Sequence, residues 1–158
     1  MAVKRVKNTE FYKIVDKVKE YKGFVGFNDK QNIYYGEEFI PLYVVAMGNE
    51  FGAVKQREDG SYSYTPPRPF LSSTFSKNKS KYTNLVAEKV NKVFNNQNVK
   101  FELKSEMSEM AKDVSKSIAD WDTPPNAPET IEKKGFNDPL VETGTMRDNV
   151  IFWDNSND

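Results

Sequence analysis

Carboxylates are the main side chains that could do chemistry in this chain, because it contains no histidine and no cysteine. Histidine is the commonest general base and the commonest transition-metal ligand, so its absence removes both roles. Without either residue type, thiolate or imidazole zinc sites and Ser/His or Cys/His catalysis are excluded. The absence of cysteine also fits a protein made in a reducing cytoplasm, although secreted bacterial proteins often share it.

Two groups of carboxylates lie close together in the sequence, and neither has the spacing of a known site. Glu37 and Glu38 could pair with Glu50 as acid and base, but nothing in the sequence sets their separation, which favours ordinary surface acids. Asp120 and Asp122 lack the alternating oxygen ligands and the closing glutamate of a calcium loop. No glycines have the spacing of a phosphate-binding loop. The sequence therefore predicts no catalytic residue, no metal and no cofactor.

The elements that must position these groups are predicted as four helices and a few strands in a small, mostly antiparallel sheet, which is an α+β fold. Thr9 is predicted to cap a helix with one apolar face that ends at Gly23. Phe24–Phe27 and Ile33–Tyr35 are predicted to pair as a hairpin. The apolar face of this first helix consists of Phe11, Ile14, Val15 and Val18.

Further along the chain, Pro41 is predicted in the first turn of a second helix that Gly52 ends. A turn is predicted at Asp59-Gly60, and the run from Thr65 to Pro69 must be extended, because each proline disfavours a helical predecessor. Ser80 is predicted to cap a third helix. The fourth helix follows apolar residues at steps of three and four, namely Leu103, Met107, Met110, Ala111, Val114, Ile118 and Trp121.

A long loop is predicted from Trp121 to Val150, before a last strand at Val150–Trp153 and a frayed tail at 154–158. The loop contains four prolines and two glycines, which fix or bend the backbone but supply no acid, base or nucleophile. Loops of this length in compact domains are usually functional or disordered. The stiff prolines and the apolar run that follows argue against disorder, so the loop is interpreted as a shaped binding surface.

Charge is unevenly distributed along a chain whose formal net charge is zero. Residues 1–22 contain seven basic and three acidic side chains, a balance of +4, and residues 120–158 contain nine acidic and three basic ones, a balance of −6. This distribution has two explanations. The charged side chains could simply lie on two solvated faces, or the molecule could carry positive charge at one end and negative charge at the other. The second interpretation suits head-to-tail contact between copies.

At 158 residues the chain is expected to form a single domain over 1–158, and its 37% hydrophobic content is enough for a core. No apolar run reaches the roughly 18 residues of a membrane span and no signal peptide is recognisable, so neither is predicted. The basic N-terminal segment could touch nucleic acid, but the chain as a whole is not basic, which disfavours that function.

Two pairs of motifs resemble a known family. Ala46–Gly52 (AMGNEFG) is followed by Thr65–Leu71 (TPPRPFL), and Pro124–Ile131 (PPNAPETI) is followed by Pro139–Arg147 (PLVETGTMR). In this order the blocks resemble the tail-component and virion-morphogenesis proteins of long-tailed double-stranded DNA phages, the lambda-like and Mu-like tail completion group. The resemblance covers roughly residues 40–152. Val141-Glu142 and Asn149 depart from the usual residues of the family.

The resemblance implies a small α+β virion protein that completes or caps the tail and joins it to the head-connector complex. The implied partners are copies of the chain in a closed ring, expected to be a hexamer, the tail tube or tail terminator protein, and neck proteins. DNA would pass through the lumen without specific binding, and no membrane is involved. The implied location is the neck or tail of the virion, and the host cytoplasm during assembly.

The motif residues are expected to form contacts between proteins. Glu50 is expected to meet Arg68, with Phe51 and Phe70 buried, and Thr143 to cap a short helix through Met146. Alternatives remain open: a tail terminator or tail-tube subunit, an assembly factor absent from the mature virion, and a carboxylate-based hydrolase. The residues expected at interfaces are Glu50, Arg68, Pro124, Pro125, Asn126, Pro128, Lys133, Leu140 and Arg147.

Overall fold

The computed structural model describes residues 9–36, 39–95 and 100–155. It has the α+β class predicted from the sequence, with seven α-helices and three two-stranded antiparallel sheets in the described part. The helices are α1 (Thr9–Glu20), α2 (Leu42–Phe51), α3 (Phe70–Lys77), α4 (Lys79–Asn95), α5 (Lys104–Ala119), α6 (Pro128–Lys134) and α7 (Thr145–Asp148). The strands are β1 (Gly23–Gly26), β2 (Tyr34–Tyr35), β3 (Ile40–Pro41), β4 (Ala53–Gln56), β5 (Tyr62–Thr65) and β6 (Ile151–Asp154).

Helix α5 lies at the centre of the fold. Its apolar stripe is the one predicted from the sequence, with Met107, Val114 and Ile118 all buried. The helix packs against α3, α4, α7 and the β1–β6 sheet. Most of the buried core consists of residues from four different helices and the segment before α7, namely Leu42, Ala46, Phe70, Val114, Ile118, Leu140 and Met146.

The strand pairing differs from the predicted hairpin. β1 pairs with β6 at the other end of the chain, with Gly23 opposite Asp154, and β2 pairs with β3. The polar turn after β1 forms a short 3₁₀ helix, Asp29–Gln31, which Asn28 caps. That local structure carries the chain away from β1, so the two adjacent strands never meet. β1 therefore pairs with β6, which is far away in the sequence, and not with the neighbouring strand that the sequence suggested.

The predicted frayed tail is wrong at its first two residues. Asp154 is buried at the end of β6, where its carboxylate accepts a hydrogen bond of 2.8 Å from the Tyr21 hydroxyl. Burial and this hydrogen bond raise the pKa of Tyr21 to about 12. Asn155 continues the contact, because its side-chain oxygen accepts from the backbone N–H of Lys22 at 2.8 Å. Residues 156–158 lie outside the described part.

One helix boundary differs from expectation, and two helices were not predicted. Helix α4 begins at Lys79 rather than after a Ser80 cap, and the preceding α3 was not predicted. The predicted proline-rich loop contains α6, which begins at Pro128 and ends at Gly135 in the left-handed conformation. The short helix after Thr143 is present as α7, but its N-cap residue is Gly144 and not Thr143, whose hydroxyl accepts from the backbone N–H of Thr145 at 3.3 Å.

Helix α2 begins after Pro41 and ends at Gly52, as predicted, but it does not bury Phe51. Its buried residues are Leu42, Ala46 and Glu50, at steps of four, and Phe51 is one position further round the helix. Its side chain is 74% exposed, so the prediction of a core anchor is wrong. The helix has a second apolar face in solvent, where Val44 and Met47 are also exposed.

Strands β4 and β5 form a hairpin around the predicted Asp59-Gly60 turn. Residues directly opposite each other in an antiparallel pair lie on the same face. The register therefore places Val54 with Tyr64 and Gln56 with Tyr62 on one face, and Ala53, Lys55, Ser63 and Thr65 on the other. Val54, Tyr62 and Tyr64 are 66%, 69% and 68% exposed, whereas Ser63 and Thr65 are half-buried. The apolar face of this hairpin is turned to solvent.

Candidate functional site

Arg68 joins two distant segments of the chain in the interior of the protein. Its side chain is 5% exposed, and its Nε donates to the Pro124 carbonyl at 3.2 Å. Nη2 donates to the Pro125 carbonyl at 3.3 Å and to the Asn126 Oδ1 at 3.4 Å. Burial lowers the pKa of Arg68 from its usual value. The planar guanidinium thus fixes three successive residues of the proline segment, which comprises residues 124–128.

Within the subunit, Glu50 and Arg68 lie on adjacent segments but do not form the predicted ion pair. The Glu50 carboxylate accepts instead from the backbone N–H groups of Leu71 and Ser72, at 2.8 Å and 3.0 Å, and from the Ser72 hydroxyl at 2.6 Å. These groups belong to the first turn of α3, where backbone N–H groups lack partners within the helix. A buried carboxylate satisfies them and also matches the positive end of the helix dipole. Glu50 is therefore the cap of α3.

The segments that contain Glu50 and Arg68 nevertheless lie against each other, because the Arg68 backbone N–H donates to the Asn49 carbonyl at 2.6 Å. Gly52 sits at this junction with φ of 80°, and a Cβ there would lie 3.0 Å from the Thr65 carbonyl. The end of α2, the extended proline run and the start of α3 therefore form one unit. Phe70, predicted as buried, has no exposed surface and belongs to its core.

A pocket of about 430 Å³ opens beside the proline segment, between α6 and the chain before α7. Three residues expected at interfaces line it, namely Asn126, Lys133 and Leu140. The Asn126 backbone N–H donates to the Asn137 side chain at 3.0 Å, and its buried Nδ2 has no partner. Leu140 is buried and belongs to the main core, so it connects the lining of the pocket to that core.

Lys134 closes one side of this pocket. Its ammonium group donates to the carbonyls of Asp138 and Val141, at 2.9 Å and 2.5 Å, and lies 5.0 Å from the centre of the Phe136 ring. Burial lowers the pKa of this lysine. Lys134 therefore ties α6 to the following segment, whereas its neighbour Lys133 is exposed.

The remaining residues expected at interfaces divide into structural and exposed ones. Pro124 is half-buried and follows a cis peptide bond, whereas Pro125 and Pro128 are exposed. Arg147 lies outside the pocket and pairs with the adjacent Asp148 at 2.6 Å, a contact that raises the pKa of Arg147. Pro125 and Pro128 of the proline segment are thus exposed to solvent, and so is Lys133 in the helix α6 that follows. Arg68 holds the first three residues of the segment in place.

The described carboxylates considered for chemistry are Glu50, Asp120 and Asp122. Glu37 and Glu38 lie outside the described residues, and Glu50 is occupied as the cap of α3. Asp120 follows the end of α5, where its carboxylate contacts the Lys116 ammonium at 2.5 Å. Within ranges 9–36, 39–95 and 100–155, no group of three or more acidic, histidine or cysteine side chains could hold a metal ion.

Two features were missed at the level of sequence. The structural role of Lys134 depends on carbonyls that only the folded segment presents, and no sequence pattern indicates it. The exposed aromatic face of the β4–β5 hairpin could have been recognised, because Tyr62 and Tyr64 alternate with Ser63 and Thr65.

Comparisons of the chain with protein-family models, curated proteins and solved structures give no significant match. Of the helices in the described ranges, none has both the length and the apolar character needed to cross a membrane.

Proposed function

We propose that this protein is a structural subunit of a phage neck or tail, which completes the tail and joins it to the head connector as a ring. The observation that carries the proposal is the contact between the motif blocks that resemble the tail-completion family. Arg68 of the TPPRPFL block binds Pro124, Pro125 and Asn126 of the PPNAPETI block, 56 to 58 residues away in the sequence. The two motif blocks therefore belong to one folded unit.

The arrangement of polar groups also supports a binding function over a catalytic one. The buried charged side chains Glu50 and Arg68 make their hydrogen bonds inside the protein, which leaves no acid–base pair between them. The proline segment offers a rigid exposed surface, and ordering such a surface on binding costs little conformational entropy. A surface of this kind suits contact with a neighbouring subunit or a neck protein.

The acidic region at residues 120–158 is a candidate either for the lining of the lumen or for contact with a neighbouring protein. Surfaces that neutralise phosphates bind DNA strongly, so an acidic or neutral lumen suits a neck. Residues 120–158 carry a balance of −6 and include the proline segment. We assign this region to contact with a neighbouring protein rather than to the lumen, because its prolines and the pocket beside them provide a defined shape.

Purified virions test the proposal directly. Mass spectrometry should detect this chain in the particles, and a cryo-EM reconstruction of the neck should place it in a closed ring, expected to be sixfold. Absence from mature particles would identify an assembly factor instead. A single copy per virion would contradict the ring.

Replacing the exposed prolines tests the role of the proline segment. In the double variant Pro125→Gly and Pro128→Gly, both Arg68 acceptor carbonyls remain, and each change costs about 0.4–1 kcal/mol through the entropy of the unfolded chain. We expect the yield of infectious particles to fall far more than this modest loss predicts. Complementation in infected cells and thermal unfolding of the purified variant measure the two effects.

The matched control is Ala87→Gly with Glu88→Gly, which changes two exposed residues inside α4 and costs about 1 kcal/mol for each glycine placed in a helix. This control should lose similar stability and retain assembly. Equal defects in assembly for the two double variants would make the proline segment part of the fold and not of an interface.

A further inference from the structure

The β4–β5 hairpin and helix α2 together expose an apolar surface that the described part of the chain leaves open. One face of the hairpin presents Val54, Tyr62 and Tyr64, and the outer face of α2 presents Met47 and Phe51. Neither β4 nor β5 packs extensively on another element of the fold. A two-stranded hairpin without such support is marginally stable in water. The hairpin, Ala53–Thr65, is called the hairpin arm below. Its exposed apolar face has the composition of a surface that contacts another protein.

A groove of complementary character lies beside α2. It measures about 360 Å³ and is open to solvent, and its walls come from β1, α2 and α3. Its polar lining residues are Tyr43, Glu50 and Ser72, and the last two are hydrogen-bonded to each other. The other lining residues are apolar, namely Val25, Phe27, Ala46, Met47, Phe51, Leu71 and Phe75. A cavity of about 150 Å³ accommodates a benzene ring. The groove therefore has room for about two aromatic rings, the number that the hairpin arm offers on one face.

We infer that the hairpin arm of one copy of this chain, with Tyr62 and Tyr64, docks into the apolar groove between α2 and α3 of the next copy. The inference rests on the proposed function, because it supplies the subunit contact of the proposed ring. Arm and groove are different surfaces, so the contact is heterologous. Heterologous contacts that close on themselves generate rings, whereas contacts between identical surfaces stop at a dimer.

The exposed apolar area suits a small contact that is repeated between copies. Aromatic side chains bury roughly 150–250 Å² each, so Phe51, Tyr62 and Tyr64, about 70% exposed, offer roughly 300–550 Å² together. Val54, Val44 and Met47 add to this area. A stable interface buries about 800 Å² per partner. Each ring subunit would contribute its arm to one neighbour and its groove to the other, so every interface joins one arm to one groove and buries less than this area, and closure of the ring would repeat this small contact around the assembly.

The first test is the oligomeric state in solution. Analytical ultracentrifugation of the wild-type chain should show concentration-dependent association. The double variant Tyr62→Ser and Tyr64→Ser should weaken it at least about 30-fold in Kd, the scale for loss of aromatic anchors at an interface. The matched control is Tyr12→Ser with Tyr34→Ser, which removes two exposed tyrosines elsewhere and should leave association unchanged. A wild-type chain that remains monomeric at its highest soluble concentration would overturn the inference.

The second test identifies the contact and does not depend on the stability of the serine variants. Because the chain contains no cysteine, single cysteines can be introduced without background. A tagged Tyr62→Cys chain mixed with an untagged Met47→Cys chain should form the mixed disulfide in excess over both symmetric products. Excess of the Tyr62→Cys homodimer would indicate pairing of hairpin with hairpin and would overturn docking into the groove, as would a random distribution of products.

The same reagents separate this inference from the proposed function. If the disulfide forms between arm and groove but the chain is absent from virions, the contact stands and the neck assignment fails. If a neck ring is observed whose subunits touch through other surfaces, the neck assignment stands and the contact fails.

Discussion

Replacement of Arg68 by alanine is expected to destabilise the protein by about 2–4 kcal/mol. The change leaves the carbonyls of Pro124 and Pro125 without their donor, and an unsatisfied buried polar group costs about 1–3 kcal/mol. Removing a desolvated guanidinium offsets part of this loss, because its burial is itself unfavourable. Urea unfolding of the purified chain measures the difference, and amide exchange at Asn126 should show loosening of the proline segment.

Two further variants define what Arg68 contributes. Arg68→Lys keeps the charge but cannot present several donors in one plane, so it should recover less than half of the lost stability. Arg57→Ala removes an exposed arginine from the hairpin and should remain within about 0.5 kcal/mol of wild type. If Arg68→Ala were as stable as Arg57→Ala, the guanidinium would have no role in holding the two motif blocks together.

Replacement of Glu50 by alanine is expected to cost a similar amount, about 2–4 kcal/mol, for a different reason. The change removes three hydrogen bonds to the first turn of α3 and leaves the backbone N–H groups of Leu71 and Ser72 without partners beside the groove. It also removes a negative charge from the N-terminal end of the helix. Thermal and urea unfolding should both report the loss.

Glu50→Gln separates charge from hydrogen bonding. Its amide retains one acceptor oxygen, so it should lose roughly half of what alanine loses. The control Glu88→Ala removes an exposed acid from α4 and should be close to neutral. An alanine variant at Glu50 that matched this control would show that α3 needs no cap from α2.

The helical part of the core could be predicted from the sequence, because the relevant signal is local. The apolar steps from Met107 to Ile118 define the buried stripe of α5, and Pro41 and Gly52 mark the ends of α2. Strand pairing could not be predicted, because the partner of β1 is β6. Nothing near β1 in the sequence indicates that partner, whereas the neighbouring β2 offered a plausible local one.

The candidate site was predictable in its members but not in its contacts. Arg68 and the proline segment were both singled out, yet the sequence suggested a carboxylate as the partner of this arginine. In the fold its partners are carbonyls, and Glu50 serves helix α3 instead. Phe51 was misassigned because helical periodicity fixes the angle between residues but not which of two apolar faces is buried. Only the packing of α2 against α3 and the core decides that.

The pairing of β1 with β6 also constrains the order in which the protein folds. The Tyr21–Asp154 contact joins residues 133 positions apart, so β1 cannot find its partner until the ribosome has released nearly all of the described chain. Until then the sheet that covers one side of α5 is missing, and Met107 lacks part of its cover. Contacts between residues so far apart in the sequence form slowly, because the entropy of closing the intervening loop must be lost first. We therefore expect the β1–β6 pair to form late in folding, after the helices whose contacts are local.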